Sequence, residues 1–210
     1  LGVRRQRQMC IRDSISTNTF AHTPKINDFA KGLKNLISDD GVIIIEIHYL
    51  GSMINDTSFD TIYHEHFSYW SLENLINLFT KYGLNIFDAC LMSVHHGQLR
   101  IYMSKSKKYK KSKLLNDLLK KEKNENLIGE KLSLFCKNVL DIKENLLDLF
   151  EKISKEGKKI CGYGAPAKAS TLINFIGNNN LEFIYDKSKL KQGKYIPGTG
   201  IKICLLYTSP

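Results

Sequence analysis

The feature that most constrains the fold is a strand, a glycine turn, a helix and a second strand that follow one another near the end of the chain. The first strand begins at Lys159 and leads into residues 162–164 (Gly-Tyr-Gly), an alanine-rich helix follows, and the second strand runs from Glu182 to Asp186. Strands joined through a helix pair in parallel, because the crossover brings the chain back in the same direction. The segment therefore predicts a Rossmann-like βαβ unit and an α/β fold class.

A helix and a strand earlier in the chain predict a second part of an α/β fold. Residues 24–37 have apolar side chains at helical spacing, and residues 39–41 (Asp-Asp-Gly) predict a turn. Residues 42–47 have the apolar run of a buried parallel strand, interrupted only by Glu46. One helix and one strand cannot make a sheet, so we interpret this pair as the end of a Rossmann-type domain whose beginning is absent.

The middle of the chain predicts further helices and strands. They are a helix at 71–82 capped by Ser71 and ended by Gly83, strands at 84–90 and 99–103 joined through His95-His96-Gly97, and one long amphipathic helix at 127–156. Residues 105–113 hold six lysines, which we interpret as a solvated linker or helix start. Arginine and aromatic side chains are nearly absent there, so a nucleic-acid partner is not expected.

The formal charge of +10 is unevenly made. Four of the five arginines lie in the first twelve residues, and later positions hold twenty-six lysines and only Arg100. The two chain ends also resemble translated sequencing adapters. We therefore expect residues 1–14 and 205–210 to be non-native tails, and without them the charge falls to about +7.

Two further features bound the class of protein. No apolar run approaches the roughly 20 residues that span a bilayer, and the N-terminus lacks the apolar stretch of a secretory signal, so we expect a cytoplasmic protein with no membrane partner. The five cysteines are odd in number and widely spread, which indicates reduced thiols rather than disulfides or a metal knuckle. No oligomeric state is predicted.

The densest chemistry lies at residues 63–66, Tyr-His-Glu-His. Histidines two apart on a strand can face one metal ion, but no obvious third ligand is near in sequence. A second interpretation is a general base, in which one imidazole is oriented by a nearby carboxylate or phenol. A third is a capped loop that leads into the Ser71 helix, with its histidines merely hydrogen-bonded.

A second candidate site is the turn at residues 162–168, Gly-Tyr-Gly-Ala-Pro-Ala-Lys. Glycines after a strand let the backbone approach an anion, and the next helix offers unpaired N–H groups, so the turn suits a phosphate. As a dinucleotide fingerprint it is weak, because Ala167 holds the third glycine position. Asp186 falls where a ribose-binding acid is expected. A tight turn without a ligand remains the alternative.

Taken together, these segments resemble the bacterial nucleotide-sugar C-methyltransferases that use S-adenosylmethionine. The resemblance covers about residues 16–204 and is carried by three motifs: Phe59-Asp60-Thr61-Ile62-Tyr63-His64-Glu65-His66; Gly162 to Lys168 followed by Thr171-Leu172-Ile173-Asn174; and Asp186, Ser188 and Lys191 to Thr199. The chain departs from the family pattern where His48 replaces a proline and where Gln98 stands in a segment that is usually His-Gly-Gly-Ser-Leu-Arg.

The resemblance implies methyl transfer to a carbon beside the keto group of a nucleotide-linked deoxysugar. It implies His66 as the base, with Tyr63 and Glu65 orienting it or the sugar and His22 beside the sugar. The substrate-binding residues that it implies are Gly162, Tyr163, Gly164, Ala165, Pro166, Lys168, Asn174, Asp186, Lys191 and Arg100.

The resemblance also implies a domain organisation. Residues 15–50 correspond to the end of the S-adenosylmethionine domain, and residues 51–204 to the C-methyltransferase C-terminal domain that binds the sugar nucleotide. Most of the S-adenosylmethionine site and a zinc-binding N-terminal module would precede residue 15, so we expect a fragment that is inactive alone and has no metal site of its own.

Two other functions stay open on sequence alone. An NAD(P)-dependent oxidoreductase would use the same Gly162 turn and Asp186, although the fingerprint is weak. A non-catalytic module that binds a nucleotide sugar would use the turn without the histidines.

Overall fold

The computed structural model describes residues 11–93, 97–177 and 180–205. The chain packs as two compact units, the first made of Leu1–Asp56 and Glu65–Leu132 and the second of Thr57–His64 and Ser133–Pro210. The described elements are, in chain order, β1 (Ile11–Thr17), α1 (Ile26–Leu36), β2 (Ile37–His48), α2 (Leu50–Asn55), α3 (Leu72–Thr80), β3 (Asn85–Met92), β4 (Gln98–Ser104), α4 (Lys113–Asn124), α5 (Glu130–Lys155), β5 (Ile160–Tyr163), α6 (Ala167–Ile176), β6 (Leu181–Asp186) and β7 (Lys202–Leu205).

The first unit is built on a four-stranded sheet with the order β1-β2-β4-β3. β1 and β2 are parallel, and the other pairs are antiparallel. Side chains alternate along β2, so that Ile43, Ile45 and Ile47 are buried in the core that α1, α3 and α4 also enter. The other face of β2 is half-buried and carries Glu46 and His48.

The predicted turn at residues 39–41 is wrong, because these residues lie inside β2. The strand pairs Ile11 with Ile37 and then Asp13 with Val42, so the extra residues of β2 bulge out of register and the strand resumes in the same direction. Gly41 is held in place by its carbonyl, which accepts a hydrogen bond from the buried Ser104 hydroxyl at 2.7 Å.

The first residues of β1 belong to a segment that was set aside as a tail. Residues 11–14 continue the strand that ends at Thr17 and pair with β2. Leu205, the first residue of the other predicted tail, ends β7 and pairs with Asp186. The remaining predicted tail residues, 1–10 and 206–210, lie outside the described residues, as do His95 and His96. The predicted domain boundary after residue 50 does not coincide with the packing, because β4 pairs with β2 in one sheet.

The predicted helices and strands of the first unit are otherwise confirmed to within a few residues. Ser71 caps α3 as expected, since its hydroxyl accepts a hydrogen bond from the Asn74 N–H at 3.2 Å. Gly83 follows this helix with a φ of 72°, a conformation that favours glycine. Ser112 caps α4 in the same way as Ser71 caps α3.

The second unit contains a parallel sheet in the order β5-β6-β7, with α6 connecting the first two strands. This arrangement confirms the predicted βαβ unit and the α/β fold class. Its core is a cluster of isoleucines with Ala165: Ile173, Ile184, Ile196, Ile201 and Ile203. The long helix α5 precedes β5 as predicted and begins at Glu130. In the described part of the chain, no helix combines the length and apolarity needed to cross a bilayer.

Candidate active site

Three histidines from different segments of the first unit, His22, His48 and His66, lie close together, with His66 in the middle. Its ring centroid lies 4.9 Å from that of His22 and 4.9 Å from that of His48. His66 itself is buried, with 9% of its surface exposed. The sequence prediction placed His22 and His66 near the same substrate, and the structure brings these two rings together.

His22 ends a short 3-10 helix, Phe20–His22, that is anchored by the fully buried ring of Phe20. Its Nδ1 lies 2.8 Å from the backbone carbonyl oxygen of Glu65. Because a carbonyl oxygen only accepts, Nδ1 must carry the proton, and neutral His22 then has its lone pair on Nε2. The Phe67 N–H donates to the carbonyl of Ala21 at 2.9 Å, which holds the loop of His66 along this segment.

His48 is the last residue of β2 and faces the half-buried side of the sheet. Directly after it, Tyr49 forms a parallel bridge with Trp70, and the Leu50 N–H donates to the Trp70 carbonyl at 3.0 Å. These contacts hold the segment that follows His66 against the end of β2. β1 ends beside β2, since the Asn18 N–H donates to the Glu46 carbonyl at 3.1 Å.

The histidines therefore lie at the carboxyl ends of two parallel strands, which is where open α/β sheets bind their ligands. Gln98 lies at the same edge, with 1% of its surface exposed, and its side-chain amide donates to Asn18. Arg100, which was predicted to contact substrate, is paired with Glu46 across β4 and β2, with Nε 2.6 Å from the carboxylate. Hydrogen bonds to Tyr102 and then to Glu46 raise the pKa of Arg100 above its ordinary value.

The second unit has a cleft of about 550 Å³ between α6 and the loop before β7. Tyr63 and His64 belong to this unit and line the cleft, as do four residues of the predicted binding set: Ala165, Pro166, Asn174 and Lys191. Residues that the sequence prediction did not single out also line it, among them Leu190, Lys194, Tyr195 and Pro197. The cleft therefore has two lysines, Lys191 and Lys194, beside apolar side chains and the exposed ring of Tyr195.

The carboxylate of Asp186 is bound inside the unit by backbone donors. Its oxygens accept hydrogen bonds from the Ala165 N–H and the Ser188 N–H, each at 2.7 Å. Bonds from Ser188 and Ala165, and the nearby charge of Lys191, lower the pKa of Asp186. Lys191 also donates to the Ala165 carbonyl at 2.8 Å. Asp186 therefore already binds the Ala165 N–H, which is one of the backbone donors that the sequence analysis assigned to a phosphate.

Each glycine of this turn is required by the backbone for a different structural reason. A Cβ on Gly162 would lie 2.8 Å from Cγ1 of Ile184, so the strands approach closely only with glycine here. Gly164 has a φ of 86°, a conformation that L side chains rarely adopt. Tyr163 between them is 68% exposed. These features match a tight strand-to-helix turn, and direct contact of the three residues with substrate stays a prediction.

The other predicted binding residues of the second unit make contacts within it. Pro166 is the N-cap residue of α6, and Lys168 lies 3.9 Å from the Asp60 carboxylate. The side-chain amide of Asn174 donates to the Pro197 carbonyl at 2.9 Å, which joins α6 to the loop that borders the cleft.

Comparison with known proteins places the chain in a family. The model of the C-methyltransferase C-terminal domain matches residues 93–206. The chain belongs to the C-methyltransferase family. It is 32% identical over 188 residues to the C-methyltransferase NovU of Streptomyces niveus, a match that covers 88% of this chain and 45% of NovU. The chain thus spans about half the length of that relative.

Among solved structures, the crystal structure of M1.HpyAVI matches 49% of the chain and 47% of its own length. The identity is 13% and the TM-score 0.31, a similarity too low to support a common fold.

A family of C-methyltransferases suggests S-adenosylmethionine as methyl donor, and the described residues do not by themselves fit it. The turn after β1, residues 18–19, contains no glycine. After β2, Gly51 lies in α2 and the ring of Tyr49 covers it, since an added Cβ would lie 2.5 Å from Cε1 of that ring. Neither segment offers an open glycine for close backbone approach to a nucleotide, so no residue of this C-methyltransferase chain is assigned to the donor.

Three residues near the candidate sites were missed as functional candidates by sequence reasoning. His48 was noted only as a departure from the family pattern, and Lys194 and Tyr195 only as members of a loop. The alternation of β2 could have placed His48 on the same face as Glu46. No local signal pairs His48 with His66, because they meet through the tertiary bridge at Tyr49. Within the described ranges, no three His, Cys, Asp or Glu residues are grouped so that they could hold a metal ion.

Proposed function

We propose that the protein is an S-adenosylmethionine-dependent C-methyltransferase that acts on a nucleotide-linked keto-deoxysugar, with His66 as general base. The observation that carries the proposal is the buried imidazole of His66, in contact with two other imidazoles at the carboxyl ends of β1 and β2. An imidazole is the side chain best suited to accept a proton near neutral pH.

The chemistry requires one proton transfer that this chain can perform. The hydrogen on a carbon beside a ketone leaves as a proton to the lone pair of His66, and the electron pair of the broken C–H bond delocalises onto the keto oxygen as an enolate. The enolate carbon is then the nucleophile that forms the new C–C bond. S-adenosylmethionine, when bound, would supply the electrophilic methyl group, and its sulfur–methyl bond would break with S-adenosylhomocysteine as the leaving group.

His22 is proposed as the partner of His66 at the sugar. Its Nδ1 proton is committed to the Glu65 carbonyl, so Nε2 can accept a hydrogen bond from a sugar hydroxyl. The backbone of Glu65 thereby fixes the orientation of His22, and the Glu65 side chain is proposed to orient the base or the sugar. The role of Tyr63, which belongs to the second unit, stays a prediction.

The cleft of the second unit is proposed to hold the nucleotide part of the substrate. Lys194 is exposed at its rim and Lys191 lies within it, so both can offer positive charge to a diphosphate. Tyr195 is 59% exposed, which leaves ring surface for a nucleobase to stack on. Lys191 is expected to contribute less to diphosphate binding than Lys194, because its ammonium already donates to the Ala165 carbonyl and to Asp186.

Proton abstraction can be tested without a methyl donor. The chain is incubated in D₂O with a thymidine-diphosphate-linked keto-deoxysugar, and loss of the proton beside the ketone is followed by NMR. The wild type is expected to accelerate exchange, and His66→Asn to remove the acceleration while sugar-nucleotide binding persists. Wild-type exchange in His66→Asn would remove this residue from the role of base, and loss of exchange only in His22→Asn would transfer the role to His22.

The binding site can be tested by calorimetry with the same sugar nucleotide. Lys194→Ala is expected to weaken binding by about 10-fold, as for one lost charge-assisted contact. Lys152→Ala on α5 is the matched control, since Lys152 is exposed and outside the cleft. Equal effects of the two changes would mean that general charge drives binding. Tight binding of S-adenosylhomocysteine to this chain would contradict the statement that its residues do not fit the donor.

A further inference from the structure

The imidazole of His48 packs against the proposed base. The two ring centroids are 4.9 Å apart, and the ring planes are inclined by 51°. The family pattern has proline at this position, so the resemblance assigns no role to His48. Contact between two titratable rings, one of them buried, affects how readily either ring takes up a proton.

We propose that His48 is a positioning residue that keeps His66 in its neutral, proton-accepting form by holding a second imidazole against it. Two imidazolium ions at this separation repel each other, so the pair does not carry two protons at neutral pH. A base must be neutral when substrate arrives. The coupling between the rings stands on geometry alone, while its value for catalysis rests on the proposed function.

The surroundings of His66 include other groups that bear on its charge. His22 contacts it from the short helix 20–22, and Tyr69 on its own loop lies 6.2 Å away between ring centroids. Glu65 is adjacent in sequence and exposed. On β2, Glu46 shares the face of His48, but its carboxylate is paired with Arg100 from β4 and is thereby largely neutralised.

The size of the coupling follows from the separation of the rings. Two unit charges about 5 Å apart change each other's titration midpoint by roughly 0.6 pH units in a water-like medium and by roughly 2.5 at an effective dielectric constant near 20. Because His66 is more buried than His48, the single proton of the pair is favoured on His48, and the coupling lowers the midpoint of His66. The coupling free energy is the same for both rings, but it lowers the midpoint of the ring that takes up its proton second.

The experiment is an NMR titration of the imidazole carbons in the whole chain between pH 4 and 9. Removing the ring with His48→Gln is expected to raise the titration midpoint of His66 by about 0.6 pH units or more, whereas His66→Gln is expected to leave the midpoint of His48 nearly unchanged. His48→Lys, which supplies a fixed charge at the same position, is expected to shift the midpoint of His66 in the opposite direction. If His48→Gln does not fold, His48→Pro introduces the residue typical of the family.

An unchanged midpoint of His66 in His48→Gln or His48→Pro overturns the proposal, as does a shift of the same sign with glutamine and lysine. The titration needs neither sugar nor methyl donor, so it can succeed where the proposed function fails. If both hold, the acid limb of the deuterium-exchange profile moves up in pH in His48→Gln by the amount that the NMR midpoint moves. A purely structural defect would instead lower the exchange rate at every pH.

Discussion

The buried carboxylate of Glu122 is expected to be a major stabilising group of the first unit. It extends from α4 to the beginning of α3, where its oxygens accept hydrogen bonds from the Leu72 N–H at 2.7 Å and the Glu73 N–H at 3.1 Å. It also accepts a hydrogen bond from the hydroxyl of Tyr49. Burial of the Tyr49 phenol, and then the charge of Glu122, raise the pKa of Tyr49 well above its ordinary value. A negative charge at this position also interacts favourably with the positive N-terminal end of the α3 dipole.

The cost of changing Glu122 can be worked from these contacts. Glu122→Gln keeps the shape but leaves one amide oxygen, so one N–H of α3 faces an NH₂ group instead of an acceptor. Losing one charge-assisted hydrogen bond at a site that is 6% exposed costs about 2 to 3 kcal/mol. Glu122→Ala leaves three donors without this acceptor and is expected to cost about 3 to 5 kcal/mol.

The assay is urea denaturation followed by the fluorescence of Trp70, the single tryptophan, which belongs to the first unit. The matched control is Glu125→Gln, because the Glu125 carboxylate is 28% exposed and pairs only loosely, at 3.8 Å from Lys131 and 4.0 Å from Lys121. Such a pair contributes about 0 to 1 kcal/mol. A loss below about 0.5 kcal/mol in Glu122→Gln, or equal losses in both variants, would refute the reasoning.

Three other changes test the structure of the two units. Asp186→Asn is expected to destabilise the second unit at neutral pH and to flatten its acid denaturation. The reason is that the lowered pKa of Asp186 gives stability above the ordinary carboxyl value of 3.8, which is lost as the pH falls through the folded value; circular dichroism from pH 2 to 7 checks this. Gly164→Ala is expected to cost about 1 to 2 kcal/mol through its φ of 86°, measured by thermal denaturation, and no loss would contradict the strained turn. Ser112→Ala is expected to cost about 1 kcal/mol by removing the cap of α4, and unchanged hydrogen exchange in the first turn of that helix would contradict it.

The local pattern of the chain was sufficient to predict most helices and strands. The apolar spacing of α5, the cap at Ser71 and the glycine turn before α6 are each encoded within a few residues, and each is present. The turn predicted at residues 39–41 failed for the opposite reason. Asp-Asp-Gly is compatible with a chain reversal and with a bulge, and only pairing with β1, from a segment set aside as a tail, selects the bulge.

The candidate site was only partly predictable, because its residues meet through tertiary contacts. His66 and His22 came from motif resemblance, and nothing local connects them across forty-four positions of sequence. Asp186 lies at the end of β6, where the predicted strand also ended. Its prediction as a ribose ligand did not anticipate that its oxygens are already bound by Ala165 and Ser188. Spacing identifies an acid at a strand end but does not specify which donors reach it.

Polar side chains are buried at a cost in stability at the polar edge of the first sheet. Gln98 is almost fully buried, and among the described residues its Oε1 has no hydrogen-bond partner. An orphaned buried acceptor costs about 1 to 3 kcal/mol, and an apolar residue would avoid that cost. His66 is likewise buried in a position where a core side chain would pack without desolvating an imidazole. Both lie with Asn18 and His48 at the carboxyl end of β2, so the unfavourable burial is concentrated at the edge where a ligand is expected. Sequences that break packing rules at one location and obey them elsewhere generally do so for function, and this concentration supports a reaction centre there independently of the motif resemblance.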